Sequence, residues 1–209
     1  MFVAGDFDYF VTTRQKTINF GHLDLEIVDK SLLYTPLFTI PKGWNKPVNE
    51  CLDSILNFDF SEKKKIKREV NAYLNWREDH WNIYRSMRGN IRKPFAKVGK
   101  ETNLDHKTVK KYFYETIFPC CAVNYYFFPH GFDTYRQTLL QIITDYETEL
   151  VKAFEHLSCT TYIYPFEKEI WVDVFHRDCN RLMTVVQKLE EIGVVEKYKG
   201  HTPISCEEI

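Results

Sequence analysis

Pro94-Phe-Ala-Lys-Val-Gly-Lys-Glu-Thr-Asn-Leu-Asp-His-Lys-Thr-Val-Lys-Lys-Tyr-Phe113 decides how the rest of this chain is read. It parses as two short helices joined by a sharp turn. Pro94 suits the first position of a helix, where its missing N–H has no intrahelical partner, and Phe95 and Val98 then share a face. Asn103 tolerates the left-handed backbone that stops a helix, Leu104 points to a core, and Asp105 has the side chain to cap the next helix. Val109, Tyr112 and Phe113 give that second helix an apolar stripe at three- and four-residue spacing. His106, Lys107, Lys110 and Lys111 are left for its outer face. Gly99 in a helix interior costs about 1 kcal/mol against alanine, so its presence implies close approach by the second helix. A helix-turn-helix with a basic second helix is the element that DNA readers lay in the major groove. The plainer alternative is an αα-hairpin whose lysines are merely solvated.

Charge distribution separates these two readings. The 209 residues carry a formal net charge of −1, with 28 Lys/Arg and 29 Asp/Glu. Between residues 61 and 111 the balance is 15 basic to 6 acidic, which leaves 13 basic and 23 acidic residues for the remainder. A strongly basic segment inside an acidic chain is the electrostatic footprint of a phosphate-contacting module joined to something with another task. A solvated helix face would not require the rest of the chain to be acidic.

At 44% hydrophobic and 16% aromatic content, the chain can bury one substantial core or two small ones. It has no apolar run near the length of a membrane span and no secretion signal, so a cytoplasmic protein with no membrane association is expected. Its six cysteines, Cys51, Cys120, Cys121, Cys159, Cys179 and Cys206, show no C-x-x-C spacing and read as reduced thiols, the Cys120-Cys121 pair as buried. No metal site and no cofactor is expected.

The fold class is α+β, in three parts. Residues 1–60 form an extension of unclear fold, in which Phe7–Thr13 and Leu32–Ile40 are β-prone and Val48–Phe60 holds a short helix. Residues 61–118 form the DNA-binding helical domain. Ser61 caps a charged helix from Glu62 carrying Ile66, Val70, Tyr73 and Leu74, with Lys63, Lys64, Lys65, Lys67 and Arg68 outside. A brace helix follows over Glu78–Met87. In residues 119–209 the apolar run Phe118–Phe128 reads as a buried strand, and Asp133 caps a helix running to about Leu157. Thr160–Tyr164 and Glu169–Phe175 form a hairpin, Asn180–Ile192 a helix ended by Gly193, and Val194–Tyr198 a last strand. The order is β-α-β-β-α-β, that of a ferredoxin-like domain.

A trihelical basic unit followed by this second half resembles the Lrp/AsnC (feast/famine) transcriptional regulators over roughly residues 76–205. Asp79–Met87 with Arg88-Gly-Asn-Ile-Arg92 is similar to the family's first helix and basic loop. Phe95–Val109 is similar to its helix-turn-helix, Phe128-Pro-His-Gly-Phe132 to the entry of its sensor helix, and Ile192-Gly-Val-Val195 to the entry of the final strand. The resemblance implies a winged-helix-like DNA-binding domain, a homodimer formed through C-terminal sheets, higher assembly from dimers, and a small-molecule effector such as an amino acid. Two features depart from it. The wing after the second helix is very short, and residues 1–75 have no counterpart, so Phe2–Thr13 reads as the end of a preceding sensor-like unit in a longer tandem protein.

On this reading His106, Lys107 and Thr108 reach base edges of double-stranded DNA, while Arg92, Lys97, Lys100, Lys110 and Lys111 neutralise phosphates. His176, Arg177 and Asp178, at the start of the second sensor helix, are the expected effector-binding residues. No catalytic residue is assigned. The rival from another class is a siroheme-type tetrapyrrole decarboxylase on the same architecture, with Tyr125, His130, His176 and Arg177 around one cleft. Against it stand the missing nucleophile elbow, phosphate loop and metal cluster. A third reading makes the C-terminal half a dimerisation module that binds nothing small.

Overall fold

The computed structural model describes residues 1–12, 20–21, 24–31, 37–68, 74–121 and 127–205. The chain separates into two compact units, one made of residues 1–70 with 125–209 and one of residues 71–124. Residues 61–70, expected to open the helical domain, thus belong to the other unit.

The larger unit is a six-stranded antiparallel sheet. Its strands are β1 (Phe2–Ala4), β2 (Leu37–Phe38), β3 (Arg136–Ile143), β4 (Tyr162–Pro165), β5 (Ile170–His176) and β6 (Lys197–Ser205), lying in the order β1-β6-β3-β5-β4-β2. Helices α1 (Val48–Leu56), α5 (Glu147–Phe154) and α6 (Cys179–Glu191) supply Leu52, Ile55, Leu150, Phe154, Leu182 and Val186 to one core with Leu140, Ile142, Val172 and Val174 of the sheet. Each such side chain, wholly withdrawn from water, contributes roughly 1.5–3 kcal/mol. From β3 onward the elements run strand, helix, strand, strand, helix, strand.

Several expectations about this half are corrected. Arg136–Ile143 is a strand rather than helix, and the helix expected to run from Asp133 is confined to Glu147–Phe154. Leu139 and Leu140 are both fully buried, so β3 packs on two faces. Its apolar residues therefore run together instead of alternating, a pattern that fits a helix as well. Asp133 sits in a single 3-10 turn, Phe132–Thr134, not at a helix cap. The strand expected over Phe118–Phe128 begins as another 3-10 turn at Phe118–Cys120, and its residues 122–126 lie outside the described residues. Cys120 is exposed and Cys121 half-buried.

The opening segment lies on the sheet face that carries Leu139 and Trp171, where Val3 and Phe10 are buried with Phe166, and Phe7 packs edge-on against Trp171 at 5.2 Å. Gly5 is required there, because a Cβ would lie 2.2 Å from His201 Nδ1. His201 stacks on Trp171 at 5.3 Å, and burial holds its imidazole below the usual histidine range.

Residues 61–68 form no helix. The cause is a set of carboxylates at the start of α5. Glu147 accepts from the Ile66 N–H at 2.9 Å and Glu149 from the Glu62 N–H at 3.0 Å, while the Thr148 N–H donates to the Lys64 carbonyl at 3.0 Å. Arg68 completes the clamp with a two-pronged pair to Glu147 at 2.5 and 2.8 Å, and also donates to the carbonyls of Phe166 and Glu169. Glu147 is wholly buried. The lysines of this stretch stay outside, with Lys63 and Lys65 3.6 and 3.8 Å from Asp145.

Candidate nucleic-acid interface

The smaller unit is built on α2 (Glu78–Met87), α3 (Phe95–Thr102) and α4 (His106–Tyr112). Ile83 and Met87, Val98, and Val109 with Phe113 and Ile117 meet in one core, as the three- and four-residue spacings direct. Pro94 stands just before α3 (φ −59°, ψ 132°) rather than at its first position. Asn103 takes the left-handed conformation (φ 56°, ψ 39°), letting the Leu104 N–H turn back to the Gly99 carbonyl at 2.9 Å. A Cβ at Gly99 would lie 2.5 Å from the Leu104 carbonyl oxygen, so the tight turn depends on that glycine. Asp105 caps α4 by accepting from the Lys107 N–H at 2.8 Å, and this bond holds its carboxyl below the ordinary aspartate range.

Apart from Arg88, exposed at the end of α2, the described lysines and arginines of this unit divide into two groups. Lys93 is held by the Glu101 carboxylate and by Ser86, Arg85 pairs with Glu78 at 2.9 Å, and Arg77 donates to the Tyr112 hydroxyl at 3.1 Å. Those three brace the helices. Arg92, Lys97, Lys100, Lys107, Lys110 and Lys111 are exposed. Among the described residues none of these six lies within ion-pair distance of a carboxylate, although Glu101 feels Lys97 at longer range. His106 is exposed beside Asp105 at 3.4 Å, and Thr108 is half-buried. His106, Lys107, Lys110 and Lys111 border one shallow, open concavity with Tyr114 and Glu115. The α4 face thus gathers four of the expected contact residues, with Thr108 set further in. Arg92 stands on the loop after α2, and Lys97 and Lys100 on α3.

Tyr114 and Glu115 are additions to the expected set. After Tyr112 the backbone widens into a π-helical turn, Phe113–Ile117, which keeps Phe113 and Ile117 in the core and turns Tyr114 outward. The spacing 107, 110, 111, 114 is that of a single helical face. It identifies Tyr114, which lies outside the apolar stripe of Val109, Tyr112 and Phe113.

The residues expected at an effector site lie in the larger unit and do different things. His176 is buried, its Nε2 2.8 Å from the Thr138 hydroxyl, and burial pushes its imidazole below the usual histidine range. Arg177 is exposed, its guanidinium 5.7 Å from the Tyr135 ring. Asp178 caps α6 by accepting from the Arg181 N–H at 3.1 Å. All three line a cavity of about 20 Å³ with Tyr135, Ser158 and Cys51, room for about one water molecule. His130 is exposed on a turn, and Tyr125 lies outside the described residues. Among the described residues no group of three His, Cys, Asp or Glu could hold a metal ion, and no helix is long and apolar enough to cross a membrane.

No family model and no curated protein matches the chain. Among solved structures it is similar to E. coli AsnC, at 18% identity and a TM-score of 0.45, over 66% of this chain and 97% of that one. It is also similar to MtbAldR, at 11% identity and a TM-score of 0.46, over 64% of this chain and 97% of that one. At such identities and scores, what this chain does is read from its own residues.

Proposed function

We propose that this protein is a DNA-binding transcriptional regulator of the Lrp/AsnC type, with a helix-turn-helix at residues 78–112 and a ferredoxin-like domain from β3 to β6. The observation that carries the reading is the division of cations in the smaller unit. Those that brace it are paired, whereas Lys107, Lys110 and Lys111 stand exposed on one helix face without an ion pair among the described residues. Holding like charges together in water costs free energy, and a polyanion offsets that cost by releasing its counterions. In the proposed complex α4 enters the major groove. His106, Lys107 and Thr108 then face base edges, while Arg92, Lys97, Lys100, Lys110 and Lys111 meet phosphates.

The same reading makes the protein a homodimer that senses a metabolite through its larger unit. The sheet face bearing Leu139 and Trp171 already carries residues 1–10, so a partner subunit placed there would meet that segment instead of bare strands. The cavity at His176, Arg177 and Asp178 has the polar lining that an amino acid needs but not the room, so effector binding requires the cavity to widen.

Titration of labelled duplex DNA at several salt concentrations tests the proposal. Replacing Lys107, Lys110 and Lys111 together by glutamine should lower the salt slope by about 3 and weaken binding to all sequences alike. Affinity that is independent of salt in the unaltered protein would sink the regulator. A panel of amino acids added to the same titration tests the sensing half, and no shift with any of them would leave a regulator without that effector class.

A further inference from the structure

We propose that Tyr114 is a DNA-contacting residue, its hydroxyl donating to a phosphate oxygen of the duplex that the lysines of α4 neutralise. This rests on the DNA-binding reading above and extends its contact surface beyond the helix. Three observations converge on it. The tyrosine is 54% exposed although it is a large, partly apolar side chain. It borders the same concavity as Lys107, Lys110 and Lys111. Its ring is also braced from behind, edge-on to Phe95 at 5.8 Å, Phe113 at 5.2 Å and Phe118 at 6.4 Å.

An aromatic ring held by three others loses little freedom when a partner arrives, which is what makes tyrosine an effective contact residue. Among the described residues its hydroxyl meets no hydrogen-bond partner, so the donor is available for phosphate. The π-helical turn matters here. Such turns are rare, are frequent at functional sites, and interrupt the regular advance of side chains around the axis. In this chain the turn serves the core through Phe113 and Ile117 and presents Tyr114 and Glu115 at the rim. Glu115 is the acidic member of that rim. Beside a phosphate it repels, so it limits how far along the backbone the positive face extends and fixes the end of the footprint.

Two variants separate chemistry from packing. Tyr114→Phe keeps the ring among its neighbours and removes only the donor. Titrated against a fluorescein-labelled duplex of random sequence, it should bind about tenfold more weakly, with the melting temperature of the free protein unchanged. The salt slope should also stay at its original value, because a neutral hydroxyl displaces no counterion, whereas each phosphate-contacting lysine removed lowers it by about 1. Glu115→Gln should bind more tightly than the unaltered protein. Affinity of Tyr114→Phe within about twofold of the original, set against the same uncertainty in the titration, overturns the proposal. The lysine-to-glutamine triple variant distinguishes the two levels. If it loses binding while Tyr114→Phe does not, only the tyrosine contact fails; if neither loses binding, the DNA-binding reading has failed with it.

Discussion

The two units spend their charges in opposite ways. In the larger unit the carboxylates Glu147, Glu149 and Glu169 are buried and occupied, the first by Arg68 and a backbone N–H, the second by a backbone N–H, and the third by Gln141 and the Trp171 indole. In the smaller unit Lys107, Lys110 and Lys111 face outward with no such occupant among the described residues. A charge withdrawn from water must be paired to be tolerated, and once paired it is committed to structure. An exposed charge left without a partner remains open to a ligand. Burial with an occupant marks the carboxylates that hold the fold. Exposure alone marks nothing, since Lys64, Lys67 and Lys188 of the larger unit are also exposed without an ion pair among the described residues. What sets α4 apart is three such lysines on one face.

The sharpest way to break the contrast is Arg68→Ala. It leaves the wholly buried Glu147 carboxylate uncompensated and should cost about 3–5 kcal/mol in chemical denaturation. A loss no greater than that of a surface lysine would show that buried charge is not structural here.

Asp173 sharpens the comparison from the other side, because it is a buried carboxylate with one oxygen left without a partner. It is 2% exposed, accepts from Gln137 at 2.7 Å with its second oxygen unpartnered, and burial raises its pKa from 3.8 to about 7. With the folded value above the unfolded one, the folded state holds the extra proton between these limits. Stability therefore falls as pH rises from about 4 to about 7 and is level above that. Asp173→Asn cannot ionise and should gain roughly 4 kcal/mol relative to the unaltered protein at about pH 8, with the gain shrinking toward about pH 4. Melts across that range that keep a constant difference would remove Asp173 as the cause.

The smallest expected effect lies in the smaller unit. Gly99→Ala sets a methyl group against the Leu104 carbonyl and should destabilise that unit by about 1–3 kcal/mol, despite alanine's better helix propensity. A stability gain would mean that the turn relaxes and the approach of α4 is not fixed by this glycine.

Legibility in the sequence follows the same division. The smaller unit could be read almost residue by residue, because its signals are local. α2 spans Glu78–Met87 as expected, Asn103 is left-handed, Asp105 caps α4, and Val109 is buried. The larger unit was read correctly where turn chemistry punctuates it, at the β4–β5 hairpin and at α6. It was misread where tertiary contacts decide. Nothing within residues 136–143 announces that both faces of that segment will be covered, and nothing within residues 61–68 announces that two glutamates some eighty residues away will draw the backbone out of a helix. The face of α4 was legible as charge. That Tyr114 would share it was hidden by the aromatic neighbours Tyr112 and Phe113, which do pack inward or partly so.

The pairing of β1 with β6, Phe2 opposite Ser205, bears on how the polypeptide matures on the ribosome. β1 is synthesised about 200 residues before the strand it pairs with, so this part of the sheet has high contact order and closes late. Residues 78–117 need only one another and can collapse while translation continues. Phe7 and Phe10 thus stay uncovered until residues 166–201 have emerged, and that interval is one of high demand for chaperones.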